Sequence, residues 1–168
     1  MLLTTVIIFR NKIIKQTITG DIVKALIQRV SQASVSVDEA IVGEINQGIL
    51  LLLGVEKNDT AETVERTLQK IINYRIFSDE QGKMNHSLKD IEGQLLVVSQ
   101  FTLVAQTNKG SRPGFSKGAS PEHGKHIYNT FINQAKLAIS SVECGVFGAD
   151  MQVSLVNDGP VTFSFDID

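Results

Sequence analysis

The chain has 168 residues, of which 42% are hydrophobic and 20% charged, and its formal net charge is −2. A chain of this size can bury its own core as one domain, and no run approaches the roughly 20 apolar residues that span a bilayer. Because Cys144 is the single cysteine, an internal disulfide is excluded and a reduced, cytoplasmic setting is expected. The weak net charge argues against general coating of nucleic acid, although a local basic patch remains compatible with it.

The first part of the chain differs in character from the rest. MLLTTVIIF is apolar, but it lacks the basic residues and the cleavage site of a secretory signal. We expect residues 1–22 to be an N-terminal extension outside the domain, either a flexible leader or residues translated upstream of the true start, rather than an extra strand. Residues 23–168 are expected to form the domain.

Strand-like patterns begin at Lys24. KALIQRV, ASVSV and AIVGEI are rich in β-branched residues, and Asp38-Glu39 is the expected turn before AIVGEI. Gly48 leads into ILLLLGV, a run that predicts a strand buried on both faces.

Helical spacing comes next along the chain. Asp59 and Glu62 have the spacing of a capping box, which predicts Asp59 as the N-cap of an amphipathic helix over Thr60–Tyr74. The polar segment Ser78–Gly93 predicts a loop or a short hairpin.

The next segment, Leu95–Gln106, has the sequence LLVVSQFTLVAQ and predicts a buried strand. Its apolar run is interrupted by polar side chains: Ser99, Gln100, Thr102 and Gln106. A buried polar group without a partner costs about 1–3 kcal/mol, so these groups need partners. Two explanations remain open on the pattern alone, namely internal hydrogen bonding and a functional site.

A basic, glycine-containing segment, Thr107–Lys125, comes after this strand. Its one acid is Glu122, and its cations are Lys109, Arg112, Lys117 and Lys125. Glycines predict a mobile loop that can bring the backbone close to a ligand. A solvated surface loop and a loop that contacts phosphates explain this composition equally well.

The end of the chain predicts a second helix and two more strands. Ser120 is the expected N-cap, with Pro121 in the first turn. Two strands, Met151–Val156 and Val161–Ile167, are expected to be joined by a turn at Asn157-Asp158-Gly159-Pro160. Two helices packed on one curled, mostly antiparallel, barrel-like sheet give an α+β fold. The histidines and the cysteine lack metal-ligand spacing, so no metal or other cofactor is expected. His123 and His126 are expected to face solvent.

SQFTL at Ser99–Leu103 and NDGPVT at Asn157–Thr162, in this order and in a domain of this length, resemble the D-aminoacyl-tRNA deacylases. The resemblance extends from about Val23 to the C-terminus. It also includes KALIQRVSQASV, LLLLGV and KGSRPGF.

The resemblance implies an enzyme that hydrolyses the ester joining a D-amino acid to the terminal adenosine of tRNA. It implies a homodimer with sites at the subunit interface, in which Ser99, Gln100, Phe101 and Thr102 line the pocket of one subunit. Gly159-Pro160, with a cis bond, would enter the pocket of the other subunit and test the chiral centre. Arg29 would hold the Gly-Pro segment in place, and the basic loop would lie near the acceptor end of tRNA.

Two mechanisms remain open for the ester hydrolysis. In one, the Thr102 hydroxyl attacks the carbonyl, which requires a base within hydrogen-bond reach. In the other, the ribose 2′-hydroxyl or a water that it orients attacks, while backbone N–H groups near Phe101 and Thr102 hold the oxyanion. We favour the second because Gln100 is no useful proton acceptor and no His or carboxylate lies nearby in sequence.

Rejection of L-substrates is expected to come from rigid backbone at Gly159-Pro160, so glycyl-tRNA is an expected secondary substrate. Other functions remain open as well. A non-catalytic module that binds tRNA and dimerises is the alternative from a different class, and a hydrolase of another activated ester is the weaker enzymatic one.

Overall fold

The computed structural model describes residues 6–9, 12–15, 23–108 and 110–167. Ten strands, two α-helices and one 3-10 turn lie in this part of the chain. In chain order these are β1 (Val6–Phe9), β2 (Lys12–Lys15), β3 (Val23–Val37), β4 (Ala40–Ile45), β5 (Gly48–Gly54), α1 (Ala61–Ile72), β6 (Phe77–Ser78), β7 (Met84–His86), β8 (Gln94–Ser99), the 3-10 turn (Phe101–Val104), α2 (Pro121–Ala138), β9 (Val142–Cys144) and β10 (Gln152–Ile167).

Within the N-terminal extension, β1 and β2 pair antiparallel in a sheet of their own. The rest of residues 1–22 lies outside the described residues, as do Lys109 of the basic loop and Asp168. That residues 1–22 lie outside the domain therefore stays a prediction.

The main sheet has the strand order β10-β3-β5-β8-β9, and β4 pairs with β3 beside this path. β3 is antiparallel to β10, β4 and β5, whereas β8 is parallel to both β5 and β9. The sheet curls until Gly43 of β4 lies against β9, where an added Cβ would meet the Cys144 carbonyl at 3.2 Å. The α+β fold with a curled sheet is confirmed, and the sheet is mixed because of the two parallel pairings.

Local signals in the first half place most elements where they were expected. Asp38 and Glu39, with φ of 48° and 66°, form the turn between β3 and β4. α1 begins one residue later than predicted, because Thr60 and Thr63 form the capping box. The predicted N-cap Asp59 instead accepts a hydrogen bond from the Glu56 N–H at 2.7 Å.

Both helices pack on one face of the sheet and enclose the larger core. α2 begins as predicted, with the Ser120 hydroxyl as its N-cap acceptor and Pro121 in its first turn. Residues of both helices and of the central strands share this core; among them Ile27, Leu51, Leu68, Ile71, Val97 and Phe131 are almost completely buried.

The predicted strand Leu95–Gln106 is wrong in its second half. β8 ends at Ser99, which pairs with Leu53 at the end of β5. The Gln100 N–H donates to the Leu53 carbonyl at 2.8 Å, and the chain then forms the 3-10 turn. The turn can pack on β5 because Gly54 has no side chain; a Cβ there would lie 2.9 Å from the Cβ of Leu103. The partner strand therefore sets this boundary, and the apolar pattern did not reveal it.

The two predicted C-terminal strands are also wrong as separate strands joined by a reversing turn. β10 runs antiparallel along β3 over its whole length, with Asn157 opposite Val30 and Thr162 opposite Gln28. Residues 158–161 bulge out of the pairing between these two positions. We call residues Asn157–Val161 the Gly-Pro bulge. Both flanking segments keep the same direction because each finds partners on the long strand β3.

Candidate active site

A cavity of about 480 Å³ opens where the 3-10 turn meets the start of α2. Its walls come from the ends of β5 and β8, the basic loop, α2 and the segment before β10. Its lining is mostly apolar and includes Leu53, Val55, Val98, Val104, Phe115, Phe147, Met151 and Val153. A half-open apolar cavity of this size suits a small organic group such as a nucleoside.

The predicted residues Ser99, Gln100 and Phe101 line this cavity. Thr102 lies in the same 3-10 turn and is exposed, and the Gln100 side-chain amide donates a short hydrogen bond to its hydroxyl oxygen. The first N–H groups of a helical turn have no acceptor within that turn. In the 3-10 turn these are the N–H groups of Phe101 and Thr102. Ser99 and Gln100 of the polar interruption thus lie at one edge of the cavity, whereas Thr102 and Gln106 are not among the described residues that line it.

None of the described residues that line the cavity is ionisable. The amide of Gln100 and the hydroxyls of Ser99 and Ser120 are its polar side chains. Of the two nearby histidines on α2, His123 is half-buried, with Nε2 3.0 Å from the Asp59 carbonyl oxygen, which corrects the expectation that it faces solvent. His126 is exposed, as expected. Among the residues that the structure describes, the cavity wall therefore offers no side chain that could act as a general base.

Hydrogen bonds tie the second half of the basic loop to neighbouring residues, and the expected mobility of the loop stays a prediction. Gln106 and Gly114 exchange backbone hydrogen bonds at 2.7 and 3.0 Å, and the Ser116 hydroxyl donates to the Gln106 side chain at 3.0 Å. The Ala119 N–H donates to the Val55 carbonyl at 3.1 Å. These contacts fix Phe115 at the mouth of the cavity, where its ring centroid is 5.2 Å from that of Phe101.

Part of the cavity wall could not be predicted from the sequence. Phe147, Met151 and Val153 are ordinary apolar residues, and no local pattern separates them from the core. They are positioned partly through Tyr128 of α2, whose buried hydroxyl lies 2.8 Å from the Val97 carbonyl and 3.2 Å from the Gly145 carbonyl. Burial raises the pKa of Tyr128, so its hydroxyl stays protonated and donates.

The Gly-Pro bulge is clamped from both sides, and Arg29 lies where the resemblance implies. The Arg29 Nε donates to the Asp158 carbonyl at 3.1 Å and lies 3.0 Å from the Asp158 carboxylate, and Nη1 donates to the Ile76 carbonyl at 2.6 Å. The Asn157 side chain accepts from the Val161 N–H at 2.9 Å and donates to the Thr162 hydroxyl at 2.9 Å.

Gly159 and Pro160, joined by a cis bond, are exposed at the tip of the bulge, whereas Val161 is buried. Gly159 has a φ of 128°, and an added Cβ would lie 3.0 Å from Arg29 Nη2. A side chain at this position is therefore strained by backbone conformation and by lack of space.

The bulge and the cavity lie apart within one subunit. Val153 lines the cavity, and none of the described residues that form its wall belongs to the bulge. At about 3.3 Å per strand residue, Gly159 lies roughly 15–20 Å farther along β10 than Val153. The structure therefore brings Ser99–Thr102 together with the cavity, and Arg29 together with Gly159-Pro160, but it does not join these two groups in one subunit.

Residues 26–166 match the family model described as D-Tyr-tRNA(Tyr) deacylase. A D-aminoacyl-tRNA deacylase of Pseudoalteromonas atlantica is 63% identical over 142 residues, which cover 84% of this chain and 98% of that protein. The corresponding protein of Alteromonas mediterranea is 56% identical over 142 residues, with the same shares of the two chains covered.

Two solved structures share the fold. A protein described as a c-Myc DNA unwinding element binding protein has a TM-score of 0.81 and 39% identity, over 84% of this chain and 97% of that one. A structure described as a probable eukaryotic D-amino acid tRNA deacylase has a TM-score of 0.79 over 87% of this chain and 100% of that one. Its identity is 18%, so it shows the fold alone.

Proposed function

The chain belongs to the D-Tyr-tRNA(Tyr) deacylase family, and from this premise we propose how its cavity and its Gly-Pro bulge carry out the reaction. The enzyme hydrolyses the ester bond of D-aminoacyl-tRNA and releases the D-amino acid and tRNA. The observation that carries the mechanism is the cavity beside Ser99–Thr102, since its lining holds hydrogen-bonding groups but no ionisable one. No cofactor enters the proposal, and the expected location is the cytoplasm, where charged tRNA is used.

The terminal adenosine enters the cavity, where apolar side chains such as Val98 and Phe147 surround the base. This position brings the ester carbonyl to the 3-10 turn. The N–H groups of Phe101 and Thr102 donate to the oxyanion of the tetrahedral intermediate. Gln100 holds the Thr102 hydroxyl and thereby fixes this edge of the site.

The nucleophile is a water oriented by the ribose 2′-hydroxyl, or that hydroxyl itself, rather than Thr102. A nucleophilic threonine would need a base, and the Thr102 hydroxyl instead accepts a hydrogen bond from the amide of Gln100, which cannot take its proton. An aminoacyl ester is already activated, so positioning and oxyanion stabilisation suffice.

Two copies of the chain form a homodimer in which the Gly-Pro bulge of one subunit enters the cavity of the other. Three observations support this arrangement. The bulge contributes none of the described residues that line its own cavity, it is clamped by Arg29 and Asn157, and its tip is exposed. β10 is also an edge strand of the main sheet, and such an edge is open to contact with another chain. A two-fold axis would create two identical shared sites.

Rigid backbone at Gly159-Pro160 occupies the space that an L side chain would need and leaves the D side chain in open space. Selectivity then requires no recognition of individual D side chains. Glycine has no side chain to exclude, so glycyl-tRNA is also hydrolysed.

The test is to incubate the purified protein with D-tyrosyl-tRNA, L-tyrosyl-tRNA and glycyl-tRNA and to follow ester loss. The proposal expects rapid loss of the D and glycyl esters and no loss of the L ester above the uncatalysed rate. Retention of tRNA binding without release of D-tyrosine would instead support the non-catalytic module.

A further inference from the structure

We infer that Phe101 and Phe115 form a stacking site for the nucleobase that precedes the terminal adenosine of the substrate. We call these two side chains the aromatic pair. The inference rests on the proposed function, since it assigns a second nucleotide subsite at the mouth of the same cavity.

The aromatic pair is unusually open to solvent. Phe101 is 67% exposed and Phe115 is 40% exposed, although phenylalanine is usually buried. The ring centroids are 5.2 Å apart and the planes are inclined at 49°, so neither ring covers the face of the other. Exposed apolar groups that lie together commonly mark a binding surface.

The aromatic pair is held by ordered backbone on both sides. Phe101 begins the 3-10 turn, whose position on β5 depends on the close approach at Gly54. Phe115 follows Gly114, which is paired with Gln106, and the Gly118 N–H donates to the Phe115 carbonyl at 3.0 Å. A preformed site of this kind requires little ordering when the ligand binds.

The position of the aromatic pair at the mouth of the cavity indicates that its ligand is a nucleobase. Both rings belong to the rim of the cavity, whose deeper wall is formed by buried residues such as Leu53, Val98 and Val104. If the last base of a nucleotide chain lies inside the cavity, the preceding nucleotide must lie at the rim. Single-stranded nucleic acids are bound mainly by stacking of bases on aromatic rings.

Two cations lie near Phe115 in sequence, on the same loop. Arg112 and Lys117 are exposed on the same loop, three residues before and two residues after Phe115. The backbone of Lys117 is fixed, because its carbonyl accepts from the Lys57 N–H at 3.0 Å. Positive charge beside an aromatic surface complements the phosphate that links the last two nucleotides.

The test compares two short esters, D-tyrosyl-CpA and an analogue that keeps the first ribose and phosphate but lacks the cytosine base. In the wild-type dimer, kcat/KM for D-tyrosyl-CpA should exceed that of the analogue by roughly 5-fold to 100-fold, the range expected for one stacked base. The ratio of the two values isolates the base, because the phosphate is common to both.

In Phe115→Ala and Phe115→Leu this ratio should fall towards one, whereas Phe115→Tyr should keep it. Leucine retains apolar bulk but has no aromatic face. Phe115→Leu therefore distinguishes stacking of the base from nonspecific apolar contact with it. Leu137→Ala, at a 90% exposed position on α2, is the matched control and should keep the wild-type ratio. Because each ratio is taken within one variant, a general loss of activity does not alter it.

A wild-type ratio of one, with D-tyrosyl-tRNA still hydrolysed, would overturn the stacking site and leave the proposed function intact. Absence of D-tyrosyl-tRNA hydrolysis would overturn the proposed function itself. Conversion of the dimer to monomer by Phe115→Ala in gel filtration would show that the partner subunit covers the aromatic pair, and would also overturn the stacking site.

Discussion

At the scale of single residues, Thr102 distinguishes the two possible mechanisms. Its hydroxyl lies beside the cavity, but its hydrogen-bond partner is the amide of Gln100 rather than a base. A hydroxyl in this arrangement can hold a substrate or the neighbouring side chain. The hydrogen bonds described for this hydroxyl include none to a base that would activate it for attack on the ester.

Thr102→Ala should therefore lower kcat for D-tyrosyl-tRNA by less than about tenfold, whereas loss of a true nucleophile costs several orders of magnitude. A substrate ending in 2′-deoxyadenosine should be nearly inert with the wild-type enzyme. Single-turnover ester hydrolysis measures both effects. An inert Thr102→Ala together with an active deoxy substrate would identify Thr102 as the nucleophile.

Tyr128 supports the site at a distance. Its hydroxyl joins β8 to the segment that carries Phe147, through the carbonyls of Val97 and Gly145. The Val97 carbonyl also accepts from the Gly145 N–H at 2.9 Å, so removal of the Tyr128 hydroxyl leaves chiefly the Gly145 carbonyl without its donor, which costs about 1–3 kcal/mol.

Tyr128→Phe should lower the free energy of unfolding in urea by about 1–3 kcal/mol. Tyr74→Phe is the matched control, because the Tyr74 ring is half-buried against Phe163 and Phe165 and its hydroxyl makes no hydrogen bond within the described residues. An equal effect of the two changes would show that the hydroxyl of Tyr128 contributes nothing.

At the scale of elements, the Gly-Pro bulge depends on its two ends. Arg29 holds Asp158, and Asn157 accepts from the Val161 N–H and thereby closes the bulge. The buried side chain of Val161 anchors the closing residue in the core. The position of Gly159-Pro160 is therefore set by side chains on either side of it rather than by the two residues themselves.

Asn157→Ala removes the acceptor for Val161 and should reduce the ratio of D- to L-tyrosyl-tRNA hydrolysis roughly fivefold or more, as expected from loss of about 1 kcal/mol of hydrogen bonding. Asn157→Asp keeps an acceptor oxygen there and should retain most of the discrimination. The ratio of kcat/KM values for the two esters is the measurement. Unchanged discrimination in Asn157→Ala would contradict a role for this residue in positioning the bulge.

Elements with local signals were predictable from the sequence, and those fixed by distant pairing were not. The turn at Asp38-Glu39 and the cap at Ser120 depend on neighbouring residues. The end of β8 depends on where β5 ends, and the continuity of β10 depends on the length of β3. An apolar run followed by a polar pair looks the same whether or not a partner strand continues beside it.

In the candidate site, too, the features with a local sequence signal were predictable and those formed by distant residues were not. The unusual polar residues Ser99 and Gln100, and the Gly159-Pro160 pair, were recognisable as candidates in the sequence, and their motifs carried the resemblance. The cavity beside Ser99 and Gln100 was not recognisable in the sequence. Phe147, Met151 and Val153 are ordinary apolar residues, and only folding brings them to one wall.

At the scale of the whole molecule, the proposed shared site requires two subunits. Within one chain, Gly159 lies roughly 15–20 Å along β10 from Val153, the cavity residue on that strand. The edge strand β10 carries the bulge and is exposed at Val156, which is 49% accessible. Shared sites of this kind exist only in the dimer, so activity should depend on protein concentration near the dimer dissociation constant.

The most direct measurement uses a heterodimer purified through two different tags. One subunit carries Ala149→Trp, which fills its cavity, and the other carries Gly159→Ala, which displaces its bulge. The Ala149→Trp homodimer should be inactive, and the Gly159→Ala homodimer should hydrolyse L-tyrosyl-tRNA as well as the D ester. In the heterodimer, the open cavity should meet the intact bulge of the other subunit, giving about half the wild-type rate on the D ester with wild-type rejection of the L ester. Hydrolysis of the L ester at about half the rate of the Gly159→Ala homodimer would mean that cavity and bulge act within one subunit, and would contradict the proposed shared site.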